Sequence, residues 1–281
     1  MLSVGLLGVF RVASVDSRIW SALGPSGRCL AAYLFTYPGR PHRRERLADL
    51  FWPDLDAEHA RRALNSALWR FRKMLSSQPE SAGGENLQTV GSDVVLEPKH
   101  WLDIDAAALR DAATLVLRRP AALNEPQTLE RLTVVLNRYE GPFLDGDEGD
   151  WILEERERLH SLFVRSATLV VCRLGAAELY DDAISLARRA LQFDPYREEL
   201  VRHFLTLLAL NERRCEALIY FQNWCKSLKK ELDITPLPAT RKVVDEIRGL
   251  DSGEALLRLR AKIVDRVKEP ASVRDFRGPP I

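Results

Sequence analysis

The sequence is poor in the residues from which disulfide frameworks and metal sites are built. Only four of 281 residues are cysteines (Cys29, Cys172, Cys215 and Cys225), and no two of them form a CxxC pair. The five histidines lack the spacing of metal ligands. We interpret the cysteines as reduced thiols in or near the core, and we expect neither a disulfide framework nor a metal site.

Motifs of the common catalytic sites are also missing. There is no P-loop, no GxGxxG after a strand and no GxSxG elbow, and the acidic pair Glu154-Glu155 is typical of a solvated helix face. The sequence therefore predicts a protein that is not an enzyme and that needs no cofactor.

Long hydrophobic runs are absent as well. The longest, such as Phe204–Leu210, fall far short of the ~20 residues that span a bilayer. The apolar N-terminus has its first positive charge, Arg11, after the apolar stretch, which is the wrong order for a secretory signal. We expect a cytoplasmic protein with no membrane partner.

Net charge is small, but the charges are unevenly placed. The whole chain carries only +1, whereas from Arg40 to Lys73 nine Lys or Arg face five acids, which gives a local +4. From Trp101 to Asp251 the balance turns acidic. A basic segment in a near-neutral chain is typical of a local nucleic-acid contact.

The first hundred residues predict a small α/β unit. Its expected elements are a strand over residues 3–12, a short strand around Arg18–Trp20, helices over Arg28–Tyr37, Arg43–Trp52 and Ala57–Leu75, and a hairpin over 87–96 that turns at Gly91-Ser92. Either Asp54 or Asp56 can cap the long helix. Helix, helix, long helix and hairpin, in that order, indicate a winged helix-turn-helix with small β elements.

The long helix divides into two faces at 100° per residue. The predicted core face consists of Ala57, Ala60, Leu64, Leu68, Phe71 and Leu75. The opposite side holds Arg62, Ser66, Trp69 and Lys73, flanked by Asn65, Arg70 and Arg72. A solvated basic face is the alternative, but an outward tryptophan needs a partner surface to cover its ring.

Residue chemistry separates the expected DNA contacts into two groups. Because arginine pairs with guanine and asparagine with adenine, the expected base readers are Arg62, Asn65 and Arg70. The expected phosphate contacts are Arg43, Arg44, Arg46, Arg61, Arg72 and Lys73. The hairpin tip at Gly91–Asp93 lacks Lys and Arg, and we assign it no base contact.

The remainder of the chain predicts an all-α domain. The expected helices cover 104–118, 129–139, 151–175, 180–192, 197–210, 213–232 and 238–250. Leu174–Ala183 aligns with Leu208–Ala217 at an offset of 34 residues, the period of the tetratricopeptide repeat. The small or aromatic repeat positions are Ala183, Ala187, Ala190, Pro195, Ala217, Phe221 and Trp224. A generic helical bundle is the alternative.

We therefore predict a mostly α protein in three parts. Residues 1–100 form the winged-helix DNA-binding domain, 101–250 form a tetratricopeptide-like helical domain, and 251–281 form a tail. Within the tail, Glu254–Lys268 is expected to be a basic amphipathic helix and Pro270–Ile281 to be unstructured. The tail can dock on the body, bind a partner or do neither.

Several ordered motifs resemble one known family. The first hundred residues resemble the OmpR/PhoB-type winged helix of the Streptomyces antibiotic regulatory protein (SARP) family, through LLGVFRV (6–12), GRPHRRERLADLFW (39–52) and ARRALNSALWRFRK (60–73). Residues 103–248 resemble the bacterial transcriptional activation domain that follows it, through DID (103–105), YEGPFL (139–144), WILEERERL (151–159), residues 183–195 and LDITP (232–236).

The resemblance implies a sequence-specific activator that binds duplex DNA at promoter direct repeats and recruits RNA polymerase. It implies that the loop Trp52, Pro53, Asp54, Leu55 and Asp56 faces the polymerase. The helical domain would supply homodimerisation, polymerase contacts or signal reception, with an effector that the sequence does not name. Trp69 stands where smaller polar residues are usual in the family.

A second function stays open at this point. The helical repeats could bind a peptide or a small effector in a non-enzymatic interaction protein. The winged helix would then serve as a protein-docking module.

Overall fold

The computed structural model describes residues 1–13, 17–76, 86–250, 257–261 and 263. Its strands are β1 (Leu2–Gly5), β2 (Arg11–Val12), β3 (His42–Arg43), β4 (Leu87–Val90), β5 (Asp93–Leu96) and β6 (Leu102–Ile104). Its helices are α1 (Ser17–Ser21), α2 (Gly24–Thr36), α3 (Arg44–Phe51), α4 (Ala57–Ser76), α5 (Asp105–Arg118), α6 (Pro126–Asn137), α7 (Asp150–Ala176), α8 (Tyr180–Phe193), α9 (Glu198–Leu210), α10 (Arg214–Leu232) and α11 (Pro238–Arg248). A mostly α fold with small N-terminal strands is confirmed.

The chain forms two compact units, neither of which is continuous in sequence. The first unit consists of Met1–Arg110 and Arg138–Leu159, and the second of Asp111–Asn137 and His160–Ile281. These units are defined by contacts within the structure, whereas the predicted domains are continuous segments of sequence. The predicted domain boundaries at residues 100 and 250 therefore stay predictions.

The N-terminal strand prediction is wrong in its extent. Residues 3–12 form two antiparallel strands, β1 and β2, with Val4 opposite Val12. The chain reverses through Gly8, whose φ of 116° is a left-handed conformation that favours glycine. On its other side β1 pairs in parallel with β6, a distant strand that local periodicity did not indicate.

One buried carboxylate fixes this reversal. Asp105, at the start of α5, is 2% exposed and accepts hydrogen bonds from the backbone N–H groups of Leu6 (2.8 Å) and Leu7 (3.1 Å). These two groups lie just beyond β1, and the carboxylate satisfies buried donors there. This contact gives the second aspartate of the DID motif a structural role.

The predicted strand around Arg18–Trp20 is also wrong, since these residues lie in helix α1. The Trp20 ring packs edge-on against Phe10 at 4.9 Å, a contact between distant elements. Helix α2 begins at Gly24, four residues before the prediction, with Pro25 in its first turn where a missing N–H costs nothing.

Helices α2, α3 and α4 and the β4–β5 hairpin build the rest of the N-terminal core in the predicted order. The hairpin turns at Gly91-Ser92 and pairs Val90 with Asp93, as predicted. The short strand β3, which was not predicted, extends the hairpin to a sheet of order β3-β5-β4. Phe35 of α2 meets Phe71 of α4 edge-on at 5.2 Å in the centre of this core.

The YEGPFL and WILEERERL segments pack within the same unit. The Arg156 guanidinium donates to the carbonyl groups of Phe143 (2.9 Å), Leu144 (2.8 Å) and Asp147 (3.0 Å), and thereby fixes the loop before α7.

The interpretation of Glu154-Glu155 as a solvated pair is wrong for Glu155. The Glu155 side chain is 3% exposed, and its Oε1 accepts a hydrogen bond from Nη2 of Arg110 at 2.8 Å.

The seven predicted helices of the remaining chain are confirmed as α5 to α11, with ends shifted by a few residues. A 3-10 helix over Pro120–Asn124 was not predicted. Within the described residues only α7 is long and apolar enough to cross a membrane, by length and composition alone. Most of its apolar stretch is buried inside the protein, as in a core helix.

The 34-residue repeat is visible in the backbone of the second unit. Glu178 and Glu212, 34 residues apart, both adopt left-handed φ values (63° and 59°) between consecutive helices. The same hydrogen bond closes both preceding helices, from Leu179 N–H to the Leu174 carbonyl (3.0 Å) and from Arg213 N–H to the Leu208 carbonyl (2.8 Å). The small and aromatic repeat positions on α8 and α10 are buried: Ala183, Ala187, Ala190, Ala217, Phe221 and Trp224.

The cysteine prediction holds for three of four residues. Cys172 is buried and Cys29 and Cys225 are half-buried, but Cys215 is exposed at the start of α10. Cys172 lies 3.6 Å from the ring of the buried His203. All four are free thiols.

The described part of the tail docks on the second unit. Leu259 and Ile263 are buried, Ile263 lies beside Gly175, and Arg260 forms an ion pair with Glu178. Leu257, which was expected on the apolar face, is exposed. The rest of the predicted tail helix and the segment Pro270–Ile281 lie outside the described residues, as does most of the polar break at 76–86.

Candidate nucleic-acid interface

Helix α4 forms over the residues that the pattern predicted, and Asp56 is its cap. The Asp56 carboxylate oxygen Oδ1 accepts from the backbone N–H groups of Glu58 and His59, both at 3.0 Å. These donors are free in the first turn of any helix, and a side-chain acceptor there stabilises the helix end. Of the two aspartates considered, the structure therefore selects Asp56 over Asp54.

We predict that Asp56→Ala lowers the melting temperature by a few degrees at neutral pH, because the first turn of α4 loses its cap. The hydrogen bond from the His59 backbone is the main cause that lowers the pKa of Asp56. The stabilisation is thus complete above the unfolded-state pKa of about 3.9 and is lost as the pH falls through the lower folded-state value.

Thermal melts of the wild type and the variant should therefore converge on acidification. The matched control is Asp54→Ala, which removes an exposed carboxylate from the same loop and should leave the melting temperature unchanged. A larger loss for Asp54→Ala than for Asp56→Ala would contradict the cap assignment.

One face of α4 is buried from Ala60 to Leu75. Its buried residues are Ala60, Leu64, Ala67, Leu68, Phe71, Met74 and Leu75. The prediction that Ala57 belongs to this face is wrong: as the first helical residue it is exposed, one turn before the buried face begins at Ala60. The buried stripe is wider than predicted, since it takes in Ala67 and Met74.

The opposite face is exposed and polar. Seven predicted contact residues on α4 are exposed: Arg61, Arg62, Asn65, Ser66, Trp69, Arg70 and Lys73. Because the buried face fixes the rotation of the helix, all seven point away from the core. The structure thus brings the predicted readers together on one side of one helix, while their contact with DNA stays a prediction.

Several of these side chains already have partners on the protein. Arg62 forms an ion pair with Glu58 one turn earlier, and Arg61 lies 3.5 Å from Glu45 on α3. All four side chains are mostly exposed, so each pair is weak. Arg44 donates to the Asn65 side-chain oxygen and so orients one expected base reader from another helix.

Arg72 differs from the other arginines of α4. Its side chain is half-buried, and it donates from Nε to the Leu87 carbonyl (3.1 Å) and from Nη2 to Thr89 Oγ1 (2.7 Å). Both acceptors belong to β4, so Arg72 ties the helix to the hairpin. A phosphate contact by Arg72 stays a prediction, but its positioning role was not visible in the sequence.

The hairpin also contacts the start of α3. The Arg44 backbone N–H donates to the Ser92 carbonyl at the hairpin turn (3.0 Å), and Arg43 pairs with Asp93 across β3 and β5. Arg43 and Arg46 remain exposed on the surface beside this junction. The segment that carries the predicted phosphate contacts before α4 is therefore held in place by its backbone pairing with the hairpin.

The loop between α3 and α4 presents an apolar and acidic surface. Trp52 is half-buried and packs edge-on against Phe51 at 6.3 Å, whereas Pro53, Asp54, Leu55 and Asp56 are exposed. Leu55 is 44% exposed and stands between the exposed carboxylates of Asp54 and Asp56.

Within the residues that the structure describes, no group of three or more His, Cys, Asp or Glu side chains could hold a metal ion. The exposed face of α4 offers cations, one amide and one aromatic ring to a ligand.

Comparison with known proteins identifies the family. Residues 104–248 match the bacterial transcriptional activator domain. The structure of Mycobacterium tuberculosis EmbR in complex with a low affinity phosphopeptide has a similar fold, with a TM-score of 0.68 and 21% sequence identity over 95% of this chain and 70% of that chain. No curated protein matches by sequence. The chain therefore belongs to the bacterial transcriptional activator domain family, and it is a transcriptional regulator of the SARP type.

Proposed function

We propose that the protein binds duplex DNA through the exposed face of α4 and regulates transcription from the promoters that it binds. One observation carries this proposal: seven predicted contact residues share the exposed face of a helix whose opposite face is buried from Ala60 to Leu75. The face is therefore both rigid in orientation and open to a ligand.

The dimensions and chemistry of this face suit the major groove. A helix of 20 residues is about 30 Å long, and the groove of B-form DNA is wide enough to admit it. The central side chains would read base edges, with Arg62 and Arg70 on guanine and Asn65 on adenine. Arg43, Arg44, Arg46, Arg61, Arg72 and Lys73 would contact phosphates, and Ser66 lies among the readers.

Activation follows from the family rather than from the geometry of α4. We infer that the protein acts in the cytoplasm, binds promoter direct repeats and recruits RNA polymerase, without catalysis and without a cofactor. The loop Trp52–Asp56 is our choice for the polymerase contact, because the family resemblance implies that this loop faces the polymerase and its residues from Pro53 to Asp56 are exposed. The helical unit would provide homodimerisation or accept an effector.

DNA retention tests the proposal directly. We expect the purified full-length protein to retard fragments from the regions upstream of its own gene and its neighbours, with nanomolar-range affinity. Because neutralised phosphates release counterions, the affinity should fall steeply with salt concentration. If no such fragment is retarded even at low salt, DNA binding by this chain is refuted.

A further inference from the structure

Trp69 is unlike the other five tryptophans of the chain. Trp101 and Trp224 are buried, and Trp20, Trp52 and Trp151 are half-buried, whereas Trp69 is 61% exposed. The protein thus uses its other tryptophans for packing and leaves one indole ring in water. Since α4 is fixed by its buried face, this exposure is set by the helix and not by a loose surface segment.

The surroundings of the indole orient it further. The Lys73 ammonium lies over one face of the ring, 5.4 Å from its centroid, in cation–π geometry. Asn65 and Ser66 lie one turn earlier on the same exposed face, and Arg70 follows directly. The ring therefore stands among polar groups suited to base edges, with one side occupied by a cation and the rest of its surface open.

Few features of the major groove match an apolar ring. Guanine, adenine and cytosine present hydrogen-bond donors and acceptors there, whereas thymine adds a C5-methyl group that apolar side chains contact. Burying that methyl against the indole removes apolar surface of both partners from water. A solvated indole would gain nothing from the acceptor atoms of guanine beyond its single N–H.

We propose that Trp69 is a specificity-determining residue that reads the methyl group of a thymine in the major groove. The inference rests on the proposed function and adds the base class that the operator must contain at one position: a thymine facing the middle of α4. We therefore expect the site preferred by this chain to differ from one read by a small polar residue at that position.

Deoxyuridine substitution tests the inference, because uracil differs from thymine only by the methyl group. Duplexes bound by the full-length protein are first selected from a random pool, and each thymine of the selected site is then replaced singly by uracil. For the wild type we expect about a fourfold loss of affinity at one or two positions, which corresponds to one buried methyl at ~0.8 kcal/mol.

Three variants make the outcome specific. Trp69→Ala should bind thymine and uracil duplexes equally, and Trp69→Phe should keep part of the discrimination. Arg70→Ala is the matched control on the same face, since it should weaken binding while leaving the uracil penalty intact. Because Trp69 is exposed, thermal melts of its variants should match the wild type.

Failure of the proposed function and failure of the Trp69 inference give different results. If no duplex is enriched by selection, the proposed function is overturned together with the inference. If the wild type binds a selected duplex tightly but does not discriminate uracil from thymine, the inference alone is overturned. A Trp69→Ala variant that keeps full affinity, or one that keeps the uracil penalty, would likewise overturn the inference.

Discussion

Glu155→Ala is expected to lower the free energy of unfolding of the N-terminal unit by about 3–5 kcal/mol, because it leaves buried positive charge without its partner. Glu155 is 3% exposed and Arg110 is 18% exposed, with 2.8 Å between them. Arg110 also donates to the Thr36 carbonyl at 2.9 Å, at the end of α2. The pair therefore joins α2, α5 and α7 within one unit.

Tyr37 takes part in the same cluster. Its hydroxyl donates to Glu155 at 3.4 Å, and burial, followed by the charge of Glu155, raises the pKa of Tyr37 above its ordinary value. Removal of Glu155 thus also leaves a half-buried hydroxyl without this acceptor. Chemical denaturation followed by circular dichroism measures the loss.

Two controls separate burial from charge. Arg158→Ala removes the other arginine that pairs with Glu155, but that side chain is 53% exposed, so the loss should stay below about 1 kcal/mol. The double variant Glu155→Leu, Arg110→Met replaces the buried pair by apolar side chains and should recover most of the stability lost in Glu155→Ala. A Glu155→Ala variant as stable as Arg158→Ala would refute a structural role for the buried pair.

This cluster shows why the sequence predicted some features and not others. Hydrophobic periodicity located α3, α4 and α7 to α11 within a few residues, because the buried stripe of each is a local pattern. The partner of Glu155 is 45 residues away, and β6 lies almost 100 residues from β1. No local pattern distinguishes a carboxylate that will meet a buried arginine from one that will face water.

For the candidate site, too, the sequence predicted the exposed residues but not their partners. Exposure of Arg62, Asn65 and Trp69 followed from their angular position on α4, since the rotation of an amphipathic helix is fixed by its apolar face. The angular positions did not predict which groups these residues contact. The bond from Arg44 to Asn65 depends on how α3 packs against α4, and the anchoring of Arg72 to β4 depends on where the hairpin folds back.

Removal of two arginines from this face should have the largest effect on DNA binding. We expect the double variant Arg62→Ala, Arg70→Ala to bind its target about 100-fold more weakly, since each direct base contact is worth about 1–3 kcal/mol. Both side chains are exposed, and among the described residues Arg70 makes no ion pair, so the fold should be unaffected. Quantitative gel retardation on a bound promoter fragment measures the change.

A matched control removes the same amount of positive charge from another part of the chain. Arg118→Ala, Arg119→Ala removes two exposed arginines at the end of α5, away from α4 in the sequence, and should leave affinity nearly unchanged. Glu58→Gln offers the opposite test, because it releases Arg62 from its ion pair and should strengthen binding. Equal losses in the two double variants would show that only overall charge matters and would refute reading by α4.

The same variant separates the two functions that the sequence left open. If α4 reads DNA, the double variant should lose promoter binding and, with it, regulation in cells, because a regulator that cannot reach its operator cannot act there. If α4 instead docks a protein while the helical repeats carry the function, regulation does not depend on binding of these arginines to the promoter. Loss of DNA retention by a normally folded variant whose regulation in cells is unchanged would then favour the docking function over DNA reading.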